Sequence, residues 1–235
     1  MTTFPLAGLL FDLDGTLVHT APDLADAANH MLASLGRPAC DEAMVGAWIG
    51  DGVPRLIKRA LTGERFGEPD PVLFKEAQAL YGAYYEAHVA DRSSLYPGVA
   101  QTLTELRADG FRLACVTNKA SRFTRPLLRA LGLAGAFDLI LCGDELPRAK
   151  PDPLPLLTAC ERLGVAPNGA ALVGDSANDM RAAHAAGMPA LAVAYGYHHG
   201  ADLMALGAVA MIPAFPGVRD FFRFEARFLC AQALP

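Results

Sequence analysis

Short runs of apolar residues alternate with longer amphipathic stretches along the second half of the chain. Strands are predicted at 112–118, 139–143, 170–174 and 190–194, and helices at 98–109, 121–131, 153–163 and 178–186. Each predicted helix is followed by a glycine, which commonly ends a helix. Strands that are apolar on both faces and joined by helices are typical of a parallel sheet covered on both sides. The pattern therefore predicts an α/β fold with a Rossmann-like parallel sheet.

The segment that follows the first apolar run has a different pattern. Leu9–Phe11 predicts a buried strand, but from Thr20 to about Leu95 the sequence is helical and contains no convincing strand. Helices are predicted at 20–35, 53–61 and 71–90. Thr20-Ala-Pro-Asp23 has the spacing of a capping box that opens the first of them. We therefore expect a core formed by residues 1–17 and 97–235, with an all-helical cap domain, residues 18–96, inserted after the first strand.

Composition narrows the possible partners and the cellular compartment. Hydrophobic residues make up 52% of the chain and charged residues 19%, which predicts a folded core rather than disorder. The net charge of −5 and the lack of a Lys/Arg block disfavour nucleic acid as a partner. Five cysteines without a Cys-x-x-Cys pair indicate a reducing compartment, and no apolar run predicts a membrane span or signal peptide. We expect a cytoplasmic protein, as a monomer or a homodimer.

Two acids, Asp12 and Asp14, directly follow the first predicted strand and precede a Gly-Thr turn. An isolated Asp-x-Asp-Gly segment is often only a turn. However, two carboxylates at the end of a buried strand repel each other unless a cation lies between them. The pair therefore indicates a metal site and a possible nucleophile.

Further polar residues follow the other predicted strands. Because ligands of an open parallel sheet bind beyond the carboxyl ends of its strands, these residues should lie at one edge. They are Thr117-Asn118-Lys119, Asp144-Glu145, Lys150, Asp175-Ser176 and Asp179. Ser176 and Asp179 also have the spacing of a helix cap, a role compatible with supporting a metal site. Acids, hydroxyl and amide donors and a lysine are thus expected together.

Four of these segments resemble the motifs of the haloacid dehalogenase-like hydrolases, in the order expected for that family. They are Asp12-Leu-Asp14-Gly-Thr16, Val116-Thr117-Asn118, Lys150-Pro-Asp-Pro153 and Gly174-Asp175-Ser-Ala-Asn-Asp179. Within the family, the segments most similar to phosphoglycolate phosphatases are Thr20-Ala-Pro-Asp23, Trp48-Ile-Gly-Asp-Gly52, Lys150-Pro-Asp-Pro-Leu-Pro-Leu156 and Tyr195-Gly-Tyr197. The insert after the first strand resembles the helical cap of the family.

The resemblance implies a phosphatase that forms an aspartyl-phosphate. Asp12 would be the nucleophile, Asp14 the general acid and base, and Lys150 the neutralising cation. Mg²⁺ would be held by the Asp12 and Asp175 carboxylates and the Asp14 backbone carbonyl, with Ser176 and Asp179 supporting them. Thr117 and Asn118 would donate hydrogen bonds to the phosphate.

The substrate implied by the resemblance is a small phosphomonoester, most closely 2-phosphoglycolate. Its second anion requires a contact from the cap, for which Arg55 and Lys58 on a predicted helix are candidates. Cap closure is expected, with hinges near 17–20 and 95–98.

Four alternatives remain open: a phosphatase for another small-metabolite phosphate, a sugar-phosphate mutase, a dehalogenase, which Asp14 disfavours, and a silent phosphate-binding protein. The Phe-rich end of the chain, including Phe228, is predicted to be a helix that packs on the core.

Overall fold

A six-stranded parallel sheet forms the centre of the computed structural model, which describes residues 6–224. Its strands are β1 (Gly8–Phe11), β4 (Arg112–Val116), β5 (Leu139–Leu141), β6 (Ala170–Gly174), β7 (Ala190–Val193) and β8 (Ala208–Ile212), in the order β5-β4-β1-β6-β7-β8. In this order β1 lies between β4 and β6, with Phe11 opposite Cys115 and Val173. The predicted α/β class and parallel sheet are confirmed.

Helices cover both faces of this sheet. They are α5 (Val99–Ala108), α6 (Ser121–Ala130), α7 (Leu154–Leu163), α8 (Ala177–Ala185) and α9 (Gly217–Phe224). Two buried clusters fill the two faces, with Leu9 and Phe11 in one and Leu10 in the other, so β1 is apolar on both sides. Phe221 and Phe222 of α9 are buried, as predicted for the Phe-rich segment, whereas Phe228, Leu229 and Cys230 lie outside the described residues.

Four helices, α1 (Ala21–Ser34), α2 (Glu42–Gly46), α3 (Val53–Thr62) and α4 (Pro71–Ala87), come between two very short strands. These strands, β2 (Val18–His19) and β3 (Ser94–Leu95), pair antiparallel. The expectation of no strand between residues 20 and 95 was therefore wrong, because a two-residue strand leaves no periodic pattern to detect. This pairing places the two segments that connect the core to the helical insert side by side.

The edge strand β8 was also not predicted from the sequence. Its residues alternate in burial, and Val209 and Met211 are exposed because nothing covers that side of the strand among the described residues. Such a strand lacks the continuous apolar run that marks the central strands.

In the described part of the chain, no helix combines the length and apolarity needed to cross a membrane. The cysteines Cys40, Cys115, Cys142 and Cys160 are free thiols.

The start of α1 differs from the predicted capping box. The Thr20 hydroxyl is buried without a hydrogen-bond partner, and no side chain caps the helix. The Asp23 carboxylate instead accepts hydrogen bonds from the backbone N–H groups of Arg92 (2.9 Å) and Ser93 (2.7 Å). Asp23 therefore fastens α1 to the chain that returns through β3.

We expect Asp23→Ala to lower the free energy of unfolding by about 2–4 kcal/mol, because it leaves two backbone N–H groups without an acceptor. Asp26→Ala is the matched control on the same helix. Its carboxylate pairs with the exposed Arg92 side chain, so its loss should cost less than about 1 kcal/mol. Denaturant midpoints measure both effects, and equal losses would contradict the role given to Asp23.

Candidate active site

Asp12, directly after β1, is bound by a buried lysine at the carboxyl end of the sheet. The Lys150 ammonium lies 2.9 Å from Asp12 Oδ1 and 2.6 Å from Asp179 Oδ1. The other oxygen of Asp179 accepts hydrogen bonds from the Ser176 N–H and hydroxyl, which completes a capping box on α8. The predicted cap is confirmed, and Asp179 additionally holds Lys150 in contact with Asp12.

Burial and the charge of the ion-pair partner shift the pKa values of Asp12 and Lys150 in opposite directions. Burial raises the pKa of Asp12 to about 7, with Lys150 opposing the rise and the Asp179 and Asp14 carboxylates adding to it. Burial alone would lower the pKa of Lys150, but Asp12 and Asp179 raise it above its ordinary value. Lys150 therefore remains a cation and favours an ionised Asp12.

Three carboxylates converge beside this lysine. Oxygen atoms of Asp12, Asp175 and Asp179 all lie within 4.8 Å of one another. Burial, followed by the charges of Asp12 and Asp179, raises the pKa of Asp175 well above its usual range. Asp175 accepts hydrogen bonds from the Thr16 hydroxyl (2.8 Å) and the Tyr197 N–H (2.6 Å). A buried set of carboxylate oxygens is the donor chemistry that hard divalent cations prefer, so the residues fit a metal such as Mg²⁺.

Glycines allow the backbone to approach Asp175 closely. A Cβ on Gly15, whose φ is +87°, would lie 2.1 Å from Asp175 Oδ2, and one on Gly196 would lie 2.2 Å from Asp175 Cβ. The Tyr197 hydroxyl accepts hydrogen bonds from the N–H groups of Thr20 and Ala21, both at 3.0 Å. The loop after β7 thus links Asp175 to the start of the insert, a connection that sequence analysis did not identify.

Asp14 does not join the carboxylate cluster through its side chain. Its two oxygens lie 3.0 and 3.3 Å from the ammonium of Lys119, whose side chain is only 2% exposed. The ammonium also lies 4.8 Å from the centre of the Tyr85 ring, which belongs to α4 of the insert. Sequence analysis placed Lys119 at this sheet edge but gave it no role, because nothing in its spacing indicated a partner. The metal contact predicted for Asp14 uses its backbone carbonyl and stays a prediction.

Thr117 and Asn118, the two residues predicted to donate hydrogen bonds to phosphate, have different surroundings. Thr117 Oγ1 accepts a hydrogen bond from the Lys119 N–H at 3.1 Å, which leaves its own hydroxyl hydrogen for a ligand. The Asn118 amide donates to the carbonyl oxygens of Gly50 (3.2 Å) and Lys150 (2.8 Å), and its oxygen accepts from the Lys150 N–H. The Asn118 side chain therefore holds the Lys150 backbone in this structure, and its predicted role toward phosphate stays a prediction.

A small cavity of about 30 Å³ lies between the sheet edge and the insert. Its lining comprises Asp12, Asp14, Thr117, Asn118 and Lys119 from the core and Leu24, Ile49, Gly50, Gly52, Val53 and Leu56 from the insert. The insert loop at Gly50 is held against the core by Asn118 and by Asn178, whose amide donates to the same carbonyl oxygen at 3.2 Å. His199 Nε2 lies 2.8 Å from the Ile49 carbonyl oxygen, so the loop after β7 also meets the insert.

Arg55 and Lys58 are not among the residues that line this cavity. Arg55 forms a 3.0 Å ion pair with Glu68, an exposed residue of the insert, and Lys58 pairs with the same carboxylate. Helix α3 presents Val53 and Leu56 to the cavity instead. The two cations predicted to bind the substrate's second anion therefore do not line the cavity in this structure, and their role toward substrate stays a prediction.

Known proteins resemble this chain over most of its length. The sequence profile of the haloacid dehalogenase-like hydrolases matches residues 9–193. The phosphoglycolate phosphatase of Thiobacillus denitrificans is 51% identical over 216 residues, which cover 91% of this chain and 95% of that protein. A crystal structure from Haemophilus somnus, described as a predicted phosphoglycolate phosphatase, has 35% identity and a TM-score of 0.85, with 94% of this chain and 99% of that one covered.

A phosphate complex is known for a more distant relative. CbbY from Rhodobacter sphaeroides, solved with phosphate, is 28% identical with a TM-score of 0.76, covering 91% of this chain and 96% of that one. The family profile spans β1 to β7 and includes all four motif segments. The chain belongs to the haloacid dehalogenase-like hydrolases.

Proposed function

We propose that this protein is a Mg²⁺-dependent phosphatase that hydrolyses 2-phosphoglycolate to glycolate and phosphate through an aspartyl-phosphate on Asp12. The observation that carries the proposal is the Asp12 carboxylate, which lines a cavity while Lys150 and two further carboxylates surround it. The substrate is supported by the 51% identity to a phosphoglycolate phosphatase over nearly the full length of both chains. The absence of a disulfide among the four described cysteines supports a cytoplasmic location.

The first step is an in-line displacement by the Asp12 carboxylate on phosphorus. A bond forms between an Asp12 oxygen and phosphorus while the bond from phosphorus to the glycolate oxygen breaks. Asp14 gives a proton to the departing oxygen, and in the second step it takes a proton from the water that hydrolyses the aspartyl-phosphate. Lys150 holds Asp12 in its ionised form and offsets the charge of the transferring group. The Thr117 hydroxyl is positioned to donate to a phosphate oxygen.

Asp12, Asp175 and the Asp14 backbone carbonyl are the proposed metal ligands. Asp179 is a supporting residue, since Lys150 and Ser176 already bind its two oxygens. When bound, Mg²⁺ supplies positive charge that offsets the clustered carboxylates and the phosphate oxygens. The choice of Mg²⁺ over other divalent cations rests on the all-oxygen donor set.

Opening of the cap must precede substrate binding in this proposal. The space between the sheet edge and the insert is small, about 30 Å³, whereas the substrate carries both a phosphate and a carboxylate. We propose that residues 18–96 move as the cap and that the paired strands β2 and β3 mark its hinges. Closure would then exclude water from the first step and exclude larger phosphate esters from the site.

We expect Asp12→Asn to lower phosphate release from 2-phosphoglycolate by at least about 1000-fold, because the amide cannot act as the nucleophile. Asp91→Asn, which removes an exposed acid that pairs only with His88, is the matched control and should retain turnover. Phosphate release is measured across a panel of small phosphomonoesters with Mg²⁺ or with a chelator. Substantial turnover by Asp12→Asn would refute the nucleophile, and a clear preference for a sugar phosphate would overturn the proposed substrate.

Metal binding can be tested without measuring phosphatase activity. Addition of Mg²⁺ to chelator-treated protein should raise the melting temperature by about 5 °C or more, since a ligand that binds the native state stabilises it. Asp175→Asn should show a much smaller shift, because it removes one charged ligand from the cluster. Asp91→Asn should keep the full shift. Equal shifts in Asp175→Asn and the unaltered protein would contradict the proposed metal site.

The role of Asp179 predicts a difference between two neighbouring variants. Asp179→Asn should lower kcat by roughly 10- to 100-fold, because Lys150 loses one of its two carboxylate partners. Ser176→Ala removes a hydroxyl from the opposite oxygen of Asp179 and leaves the Lys150 contact, so it should mainly cost stability, about 1 kcal/mol. Steady-state kinetics and denaturant unfolding measure the two effects. The same loss of kcat in both variants would show that Asp179 acts only as a helix cap.

A further inference from the structure

The proposed substrate has two anionic ends, and the contacts described so far explain only one. Asp12, Lys150, Thr117 and the carboxylate cluster account for the phosphate and the metal. The carboxylate of 2-phosphoglycolate needs a separate cation once it is removed from water. Within the described part of the chain, Lys119 is the only cationic side chain that lines the cavity, since Arg55 and Lys58 pair with Glu68 outside it.

Lys119 is fixed at the boundary between core and insert. Its backbone carbonyl accepts hydrogen bonds from the Gly143 N–H (2.9 Å) and the Thr124 hydroxyl (3.3 Å), and its backbone N–H donates to Thr117. Its ammonium reaches across the site to Asp14 and lies against the Tyr85 ring from the insert. A charge in this position faces the part of a bound substrate that extends from the phosphate toward the cap.

The ion pair with Asp14 conflicts with the proposed chemistry. Both oxygens of Asp14 are within hydrogen-bond distance of Lys119, so the carboxyl group must turn away from the ammonium to reach the leaving oxygen. The Lys119 side chain is only 2% exposed, so its ammonium would then be a buried cation without a counter-charge. Leaving such a charge unpaired is strongly unfavourable. A replacement anion removes this conflict.

We propose that Lys119 exchanges Asp14 for the substrate carboxylate, and that this exchange makes the enzyme selective for phosphate esters with a second anionic group. The exchange frees Asp14 to turn toward the leaving oxygen while Lys119 keeps a negative partner. An ester with an uncharged distal group leaves Asp14 bound to Lys119. The inference rests on the proposed function and assigns the residue that recognises its substrate.

Kinetics with two matched substrates test the exchange. Ethyl phosphate keeps the phosphate ester and the methylene group of 2-phosphoglycolate and has a smaller, uncharged methyl group in place of the carboxylate. Lys119→Met should reduce the ratio of kcat/KM for 2-phosphoglycolate to that for ethyl phosphate by about 10- to 100-fold, the range expected for one charge-assisted hydrogen bond. Equal losses on both substrates would leave the ratio unchanged and show that Lys119 only positions Asp14. That result would overturn the inference.

Binding provides a second readout that does not depend on turnover. In an Asp12→Asn background with Mg²⁺ present, Lys119→Met should raise the Kd for 2-phosphoglycolate by about 10-fold or more, and the Kd for inorganic phosphate by less than about threefold. Calorimetry measures both constants. Lys119→Gln, which keeps a polar group of similar size, is the second variant if the melting temperature shows that Lys119→Met folds poorly.

Lys58→Met distinguishes the inference from the prediction made on sequence alone. If the selective loss occurs in Lys58→Met rather than in Lys119→Met, recognition belongs to helix α3 and the inference is wrong. If the unaltered protein releases phosphate from neither substrate, the proposed function itself fails. If it hydrolyses both substrates equally well, the phosphatase activity stands and the selectivity assigned to Lys119 does not.

Discussion

The repulsion among Asp12, Asp175 and Asp179, and its neutralisation by Lys150, is the interaction on which the rest of the site depends. Strands β1 and β6 are adjacent and parallel, with Phe11 opposite Val173, so the acids that follow them come together at one edge. Burial raises the pKa of both Asp12 and Asp175, and the neighbouring carboxylates add to the rise. A buried set of like charges is costly, and such arrangements are most often found where chemistry uses them.

The surrounding backbone is shaped to support this cluster. Gly15 and Gly196 let the chain pass within a distance of Asp175 that no side chain would allow. The Tyr197 N–H and the Thr16 hydroxyl both bind Asp175, and the Asn118 amide holds the backbone of Lys150 on both its N–H and its carbonyl group. These contacts restrict the positions of the charged groups before any ligand arrives, which is the condition for effective electrostatic stabilisation of a transition state.

The helical insert closes the same edge of the sheet from the other side. The Gly50 carbonyl accepts hydrogen bonds from the amides of Asn118 and Asn178, so residues adjacent in sequence to Thr117 and Asp179 also hold the insert. Tyr85 from the insert lies over Lys119 from the core. In the proposed enzyme, substrate recognition and the position of the insert therefore share contacts, and a ligand that changes the partners of Lys119 would act where core and insert meet.

The central strands, the order of the motif segments and the acids after β1 and β6 were predicted from the sequence, because each depends on a local pattern. A buried strand needs a continuous apolar run, and the carboxyl ends of parallel strands meet at one edge regardless of the details of packing. The short strands β2 and β3 and the edge strand β8 lack such a pattern, and only pairing with distant residues defines them.

The residue types that meet at the edge of the sheet follow from the sequence pattern, whereas the partner of each side chain follows from how the folded elements pack. Asp23 has the spacing of a cap but binds the backbone at Arg92 and Ser93, because the returning chain lies beside α1. Arg55 and Lys58 occupy the predicted helix, yet the rotation of that helix about its axis turns Val53 and Leu56 toward the cavity. Lys119 faces Asp14 across 105 residues of sequence. Contacts of this kind depend on how separate elements are rotated and docked, which local periodicity does not encode.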